Sequence, residues 1–230
     1  AVGWYVSNDE TWAYDYNTNT WTNMNPTERP SARVRYGIAY DLESDRIILF
    51  GGSCGTWPEV FNDETWAYDY NTNTWTNLNP TVKPSPRHEH VMVYDSESDR
   101  VILFGGTQWP DVYSDATWAY DYNTNSWTKM NPGVSPSPRA AHGMAYDSQS
   151  DKLILFGGII GPWTFDGETW AYDYNTDTWT KMSPAVSSPP RGMHVMAYNS
   201  KHDRVILFGG SVAPAWTWSN ETWAYDYNTN

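Results

Sequence analysis

Basic side chains are scarce in this sequence. Fourteen Lys and Arg stand against 27 Asp and Glu in 230 residues, a formal net charge of −13. Nucleic acids and anionic membranes both demand a basic footprint, so neither is expected as a partner. Cysteine is nearly missing. Cys54 stands alone, which excludes an intramolecular disulfide framework and any cysteine-built metal site. No apolar run approaches the roughly 18 residues of a spanning helix, so no membrane insertion is expected. The sequence opens on Ala1 without an initiator methionine or a leader, and is expected to begin mid-protein or after processing. What is abundant is aromatic: 15 Trp, 17 Tyr and 6 Phe make 17% of the chain, against only 18% charged residues. Disordered tails have the opposite balance. Something repetitive must place those rings.

Two strings recur in step. Thr-Trp-Ala-Tyr-Asp-Tyr-Asn begins at Thr11, Thr65, Thr117, Thr169 and Thr222, at intervals of 54, 52, 52 and 53 residues. Asp-(Arg/Lys)-x-Ile-Leu-Phe-Gly-Gly ends at Gly52, Gly106, Gly158 and Gly210, at intervals of 54, 52 and 52. Unrelated strings sharing one period define an array. Each period holds short β-branched or aromatic segments between turn residues, which is the strand signature. Apolar spacing of 3.6 is absent, so helices are not expected. In the third period the spacing predicts strand a over Arg139–Tyr146, b over Lys152–Phe156, c over Thr169–Tyr174 and d over Thr178–Met182. A four-stranded antiparallel meander cannot bury both its faces, so neighbouring units must stack. Strand b, apolar throughout as in Ile47–Phe50, suits a strand covered on both sides.

Radial stacking of such sheets is a β-propeller. The chain also resembles the kelch repeat. The double glycine closing strand b, the following Tyr and the Trp of strand d recur as Gly51-Gly52, Tyr68 and Trp75, then Gly105-Gly106, Tyr120 and Trp127, then Gly157-Gly158, Tyr172 and Trp179. The expectation is one all-β domain over residues 1–230: a half blade at 1–30, repeats at about 31–79, 80–131 and 132–183, and a partial last repeat at 184–230. That gives four repeats plus an extra strand c. The decamer Glu10–Asn19 is identical to Glu221–Asn230. Two readings stay open: the first hairpin completes the last blade and closes a four-bladed ring, or the chain is a stretch of a larger ring.

Alternating strand directions put the b–c and d–a loops on one face and the short turns on the other. The turn face is monotonous and acidic. Asp15-Tyr16-Asn17-Thr18-Asn19 looks like the opening of a calcium loop but lacks the Gly and Glu that such a loop needs, so it reads as a hairpin turn. Neither a metal nor another cofactor is expected. The loop face carries Trp4, Trp57, Trp109, Trp163, Trp216 and Trp218, often with a second ring such as Phe61 or Phe165. These loops differ in length, so repeat packing alone does not require a Trp. The rings suit stacking on a sugar or clamping a peptide side chain, or each folds back as a lid on its blade.

The proline-rich d–a loops each deliver an arginine: Arg33, Arg87, Arg139 and Arg191. The resemblance implies an innermost strand a, so these four would ring the mouth of an axial channel, where guanidinium forks bind carboxylates. Alternatively each pairs with an acidic neighbour such as Glu64, Glu168 or Glu221 and ties blade to blade. Three residues on come Tyr36, His90, His142 and His194, read as structural. Cys54 reads as a surface thiol or a small packing residue.

The leading expectation is a non-catalytic propeller that binds a glycan or an acidic peptide on the loop face. A structural segment of a surface layer or filament, self-assembling through open half-blades, is the second reading. An enzyme is the third. A galactose oxidase-like copper site needs a Tyr–Cys crosslink for which only Cys54 is present, and no nucleophile–base, P-loop or zinc signature occurs. A sialic acid mutarotase-like activity using arginine and acidic residues near the channel stays open. Acidic, lysine-poor, Thr/Asn/Trp-rich repeats suggest a prokaryotic extracellular or cell-surface protein, with a cytoplasmic adaptor as the alternative.

Overall fold

The computed structural model describes residues 7–54, 59–108, 112–162, 164–214 and 216–230. Among them every regular element is a strand. Blade I comprises Gly37–Asp41, Arg46–Phe50, Thr65–Asp69 and Thr74–Asn77. Blade II comprises Val91–Asp95, Arg100–Phe104, Thr117–Asp121 and Ser126–Lys129. Blade III comprises Gly143–Asp147, Lys152–Phe156, Thr169–Asp173 and Thr178–Met182. Each is an antiparallel meander in the order a-b-c-d. The first hairpin, Trp12–Asp15 with Thr20–Asn23, supplies strands c and d alone. Blade IV has three strands, Val195–Asn199, Arg204–Phe208 and Thr222–Tyr225. The a strands of successive blades lie side by side and form the inner wall of an arc.

Strand b is the centre of each core, as its unbroken apolar run requires. Val101, Ile102, Leu103 and Phe104 are fully buried, one face toward each neighbouring blade. Burial of such side chains stabilises by about 1.5–3 kcal/mol each. The seam between blades is keyed by the strand-d Trp. Trp127 packs on Phe50 of the preceding blade with ring centroids 5.1 Å apart, and its indole N–H donates to Thr65 Oγ1 at 3.0 Å. Trp179 repeats this against Phe104 and Thr117. Trp75 donates to Thr11 Oγ1 of the first hairpin at 2.9 Å.

The acidic turns are structural. Asp69 Oδ1 accepts the Asn71 N–H at 2.8 Å, Tyr68 donates its hydroxyl to Asn73 Oδ1, and Asn73 sits at φ 53°. An Asx side chain closing its own turn explains why this sequence recurs. Asp15 does the same in the first hairpin.

Strand a differs from its predicted start. In blade III it begins at Gly143, because Ala141 sits at φ 53° and breaks the pleat. Arg139 and Ala140 lie above that break on the loop face, with Ala140 bridging Ile159 at the edge of a small second sheet. Beside blade II this second sheet pairs Arg87–His88 with Thr107–Gln108, and Thr107–Gln108 with Val112–Tyr113. The b–c loop is therefore a short hairpin laid against the d–a loop. The four inner strands do not close into a ring among the described residues, and Ile38, Tyr40 and Val195 at the two ends of the arc stay exposed.

Candidate functional site

Each repeat brings its arginine to one place, and that place is inside. Arg33, Arg87, Arg139 and Arg191 are at most 5% exposed. Each guanidinium donates through Nη1 to the first carbonyl of the double glycine in its own blade: Gly51, Gly105, Gly157 and Gly209, at 2.8–3.1 Å. The arginine backbone bonds to the preceding blade. Gly52, Gly106 and Gly158 donate to the carbonyls of Arg87, Arg139 and Arg191 at 2.8–2.9 Å. The glycines must be glycines: Gly105 sits at φ 71°, and a Cβ there would lie 2.6 Å from the Arg139 carbonyl oxygen. The outer Nη2 of Arg33 and Arg191 meets Glu64 and Glu221 at 2.6 Å. Arg139 pairs with Asp166 at 3.4 Å and with Glu168 at 3.6 Å. Burial lowers Arg87 to about 10, and hydrogen bonds from Arg191 and Trp223 hold Glu221 below its ordinary value. Arg33, Arg139 and Arg191 do pair with acidic neighbours, but within their own repeats; the tie from blade to blade is made by the backbone carbonyls of Arg87, Arg139 and Arg191. A ring of guanidinium groups open at the channel mouth does not form, because double-glycine carbonyls and acidic neighbours draw the forks inward.

The histidines are packing groups in the same seams. His90, His142 and His194 set their rings edge-on to Phe50, Phe104 and Phe156, with centroids 5.5–5.7 Å apart. Burial, reinforced by the nearby arginine, pushes His90 down to about 3 and His194 to about 4, and His142 moves the same way. All three are therefore neutral in the folded chain.

Between the fixed arginine and the fixed histidine lies the position the sequence reading passed over. Arg35, Glu89, Ala141 and Met193 are equivalent in the repeat and share φ values of 53–60°. Their backbones link blade to blade: Glu89 N–H donates to the Arg35 carbonyl at 2.9 Å, Ala141 to Glu89 at 2.9 Å, and Met193 to Ala141 at 2.7 Å. The left-handed conformation is forced by this ladder and disfavours side chains with a Cβ. Yet none of the four is Gly. Their side chains line a recess of about 380 Å³ at the axial end of the loop face, floored by Tyr36 and the histidines. One half is charged, with Arg35 Nε 3.3 Å from Glu89 and Nη1 3.8 Å from Glu59. The other half is Ala141 and Met193, the latter 44% exposed. The available signal was variation, though it does not single out this position: in Arg-x-x-(His/Tyr) both middle residues differ in every repeat.

Of the loop tryptophans, Trp4, Trp57, Trp109 and Trp163 lie outside the described residues. Trp216 is half-buried and packs on Phe165 of the preceding loop at 4.4 Å. Trp218 is 75% exposed. The second rings are structural: Phe61 meets His88 edge-on at 4.4 Å, and Phe165 is buried beside Gly192.

Comparison with known proteins agrees with this architecture. Residues 4–164 match the Attractin/LZTR1 beta-propeller family and residues 99–230 the KLHDC2/KLHL20/DRC7 Kelch-repeats domain. The chain is 28% identical over 193 residues to the flagellar outer-arm dynein alpha chain of Chlamydomonas reinhardtii, covering 76% of this chain and 4% of that one. It is 27% identical over 187 residues to Kelch domain-containing protein 10 of Xenopus tropicalis, covering 77% and 43%. For the protein of the same name in Rattus norvegicus the values are 29% over 180 residues, covering 74% and 41%. The chain spans less than half the length of these relatives. All three are eukaryotic, so they lend no support to a prokaryotic source. Repeat, blade, seam and family match converge: the chain belongs to the Kelch-repeat β-propeller proteins.

Proposed function

We propose that this chain is a non-catalytic protein-interaction module that holds a short peptide in the axial recess of its loop face. An apolar side chain of the peptide rests against Ala141 and Met193, and a carboxylate reaches Arg35. The observation that carries this reading is the set Arg35, Glu89, Ala141 and Met193. Four different side chains occupy a backbone position that favours glycine, beside an open recess. Residues kept at such cost without a packing role suit recognition. Arg35 is half-exposed, and its five donors exceed what two loosely placed carboxylates use. Arg33, Arg87, Arg139 and Arg191 serve the site as positioning residues beneath it.

Peptides selected on the chain by display and measured by calorimetry test the reading. Met193→Glu and Arg35→Glu are each expected to weaken binding about tenfold or more. Unchanged affinity in both removes the recess from the site. A second reading, glycan binding by stacking, draws on the exposed Trp218. Glycan-array signal lost in Trp218→Ala would favour it, and a blank array with the unaltered chain would discard it. Arg33, Arg87, Arg139 and Arg191 are buried and so lend no support to a mutarotase-like reading.

A further inference from the structure

One glutamate recurs at the root of strand c, and one repeat lacks it. Glu10, Glu64, Glu168 and Glu221 each stand two residues before the strand-c Trp, whereas blade II has Ala116 in that place. In the complete blades the glutamate gathers two donors on one oxygen. Glu64 Oε2 takes Arg33 Nη2 at 2.6 Å and the Trp66 indole N–H at 3.1 Å. Glu221 Oε2 takes Arg191 at 2.6 Å and Trp223 at 3.2 Å. Glu168 Oε2 takes Trp170 at 2.9 Å, with Arg139 Nη2 at 3.6 Å. Glu168 also pairs with Lys181, which lies opposite Trp170 on strand d.

Blade II keeps the donors without the acid. Arg87 is 1% exposed and bonds to neutral groups: Ser85, the Gly105 carbonyl and Ser114. Its pKa falls to about 10 through burial, with no carboxylate to offset it. The Trp118 indole N–H is buried and has no hydrogen-bond partner among the described residues. Lys129 lies opposite Trp118 as Lys181 lies opposite Trp170. Buried charges are ordinarily paired and buried donors ordinarily bonded, so both groups call for an acceptor. An adjacent aspartate does not oppose one: Asp63, the counterpart of Asp115, bonds to Lys83 at 3.0 Å while Glu64 keeps its place. The counterpart carboxylates are 32–50% exposed, so this seat reaches the surface.

We propose that blade II takes its carboxylate from outside the chain. The carboxylate of a small organic acid, or of an acidic side chain on a partner, bonds to Arg87 and Trp118 as Glu64 bonds to Arg33 and Trp66 in blade I. A guanidinium beside a second N–H suits a carboxylate oxygen. The seat lies at strand c, away from the inner strands that surround the axial recess, and shares no residue with that recess.

The indole N–H resonance of Trp118, assigned by its loss in Trp118→Phe, reports the seat in the unaltered chain. Sodium acetate, titrated against sodium chloride at constant ionic strength, is expected to shift this signal saturably and to leave those of Trp66 and Trp170 in place. A blocked Gly-Gly-Glu-Gly-Gly peptide separates the two sources. Tighter binding than acetate assigns the seat to a partner's side chain, and binding no tighter assigns it to a free acid. Ala116→Glu fills the seat from within, so its Trp118 signal is expected to start shifted and to ignore acetate. A Trp118 signal unmoved by both probes overturns the proposal, as does chloride acting as strongly as acetate. An acetate response that survives Ala116→Glu overturns it too.

Discussion

Arg139 shows how much one side chain can tie together. Its fork bonds to the Gly157 carbonyl, to Asp166 and to Glu168, while its own carbonyl takes the Gly106 N–H of the preceding blade. Arg139→Met leaves the Gly157 carbonyl and the buried Asp166 carboxylate without the guanidinium, so a loss of about 3 kcal/mol is expected in chemical denaturation. A loss under about 1 kcal/mol would contradict the tie. The histidines give a signed pH dependence. Their folded pKa values are depressed, so below about 6.5 the unfolded chain takes up protons that the folded chain refuses. Stability is full above that pH and falls toward about pH 4, each histidine adding a slope of up to about 1.4 kcal/mol per pH unit. Melting temperatures at pH 7, 5.5 and 4.5 would show the decline, and His142→Phe should flatten it. A pH-independent melt across that window would mean the rings are protonated in place.

Elements differ in how far the repeat announces them. Strands b, c and d were legible because apolar runs and Asx turns are local signals: Asp69 closes its own turn whatever the fold does around it. Strand a was read four residues too early, since the left-handed residue at Ala141 is imposed by a hydrogen bond to the next blade, a contact no local pattern reveals. The small hairpins of the b–c loops escaped notice for the same reason. The arginines were found, but their direction was not, because a buried fork and an open one have the same sequence. The seam Trp offers a clean test of element packing. Trp127→Phe keeps most of the ring area on Phe50 and loses the bond to Thr65, so a cost of about 1 kcal/mol is expected in urea titration. Gly105→Ala meets the Arg139 carbonyl and a positive φ together, so it should cost more, about 2 kcal/mol or above. Equal costs would mean that the seam tolerates displacement.

The whole molecule divides its aromatic excess between architecture and surface. Among the described residues, Trp127 and Trp179 of strand d lock seams, Phe61 and Phe165 in the loops pack against the following blade, and Trp218 is left outward. The proposed function rests on the loop face, where the repeat stops repeating. Hydrogen–deuterium exchange of the chain with and without a display-selected peptide addresses that most directly. The account predicts protection at residues 34–36, 88–91, 140–142 and 192–195, around the backbone ladder of the recess. Protection confined to the acidic turns at 41–45, 95–99 and 147–151 would contradict it.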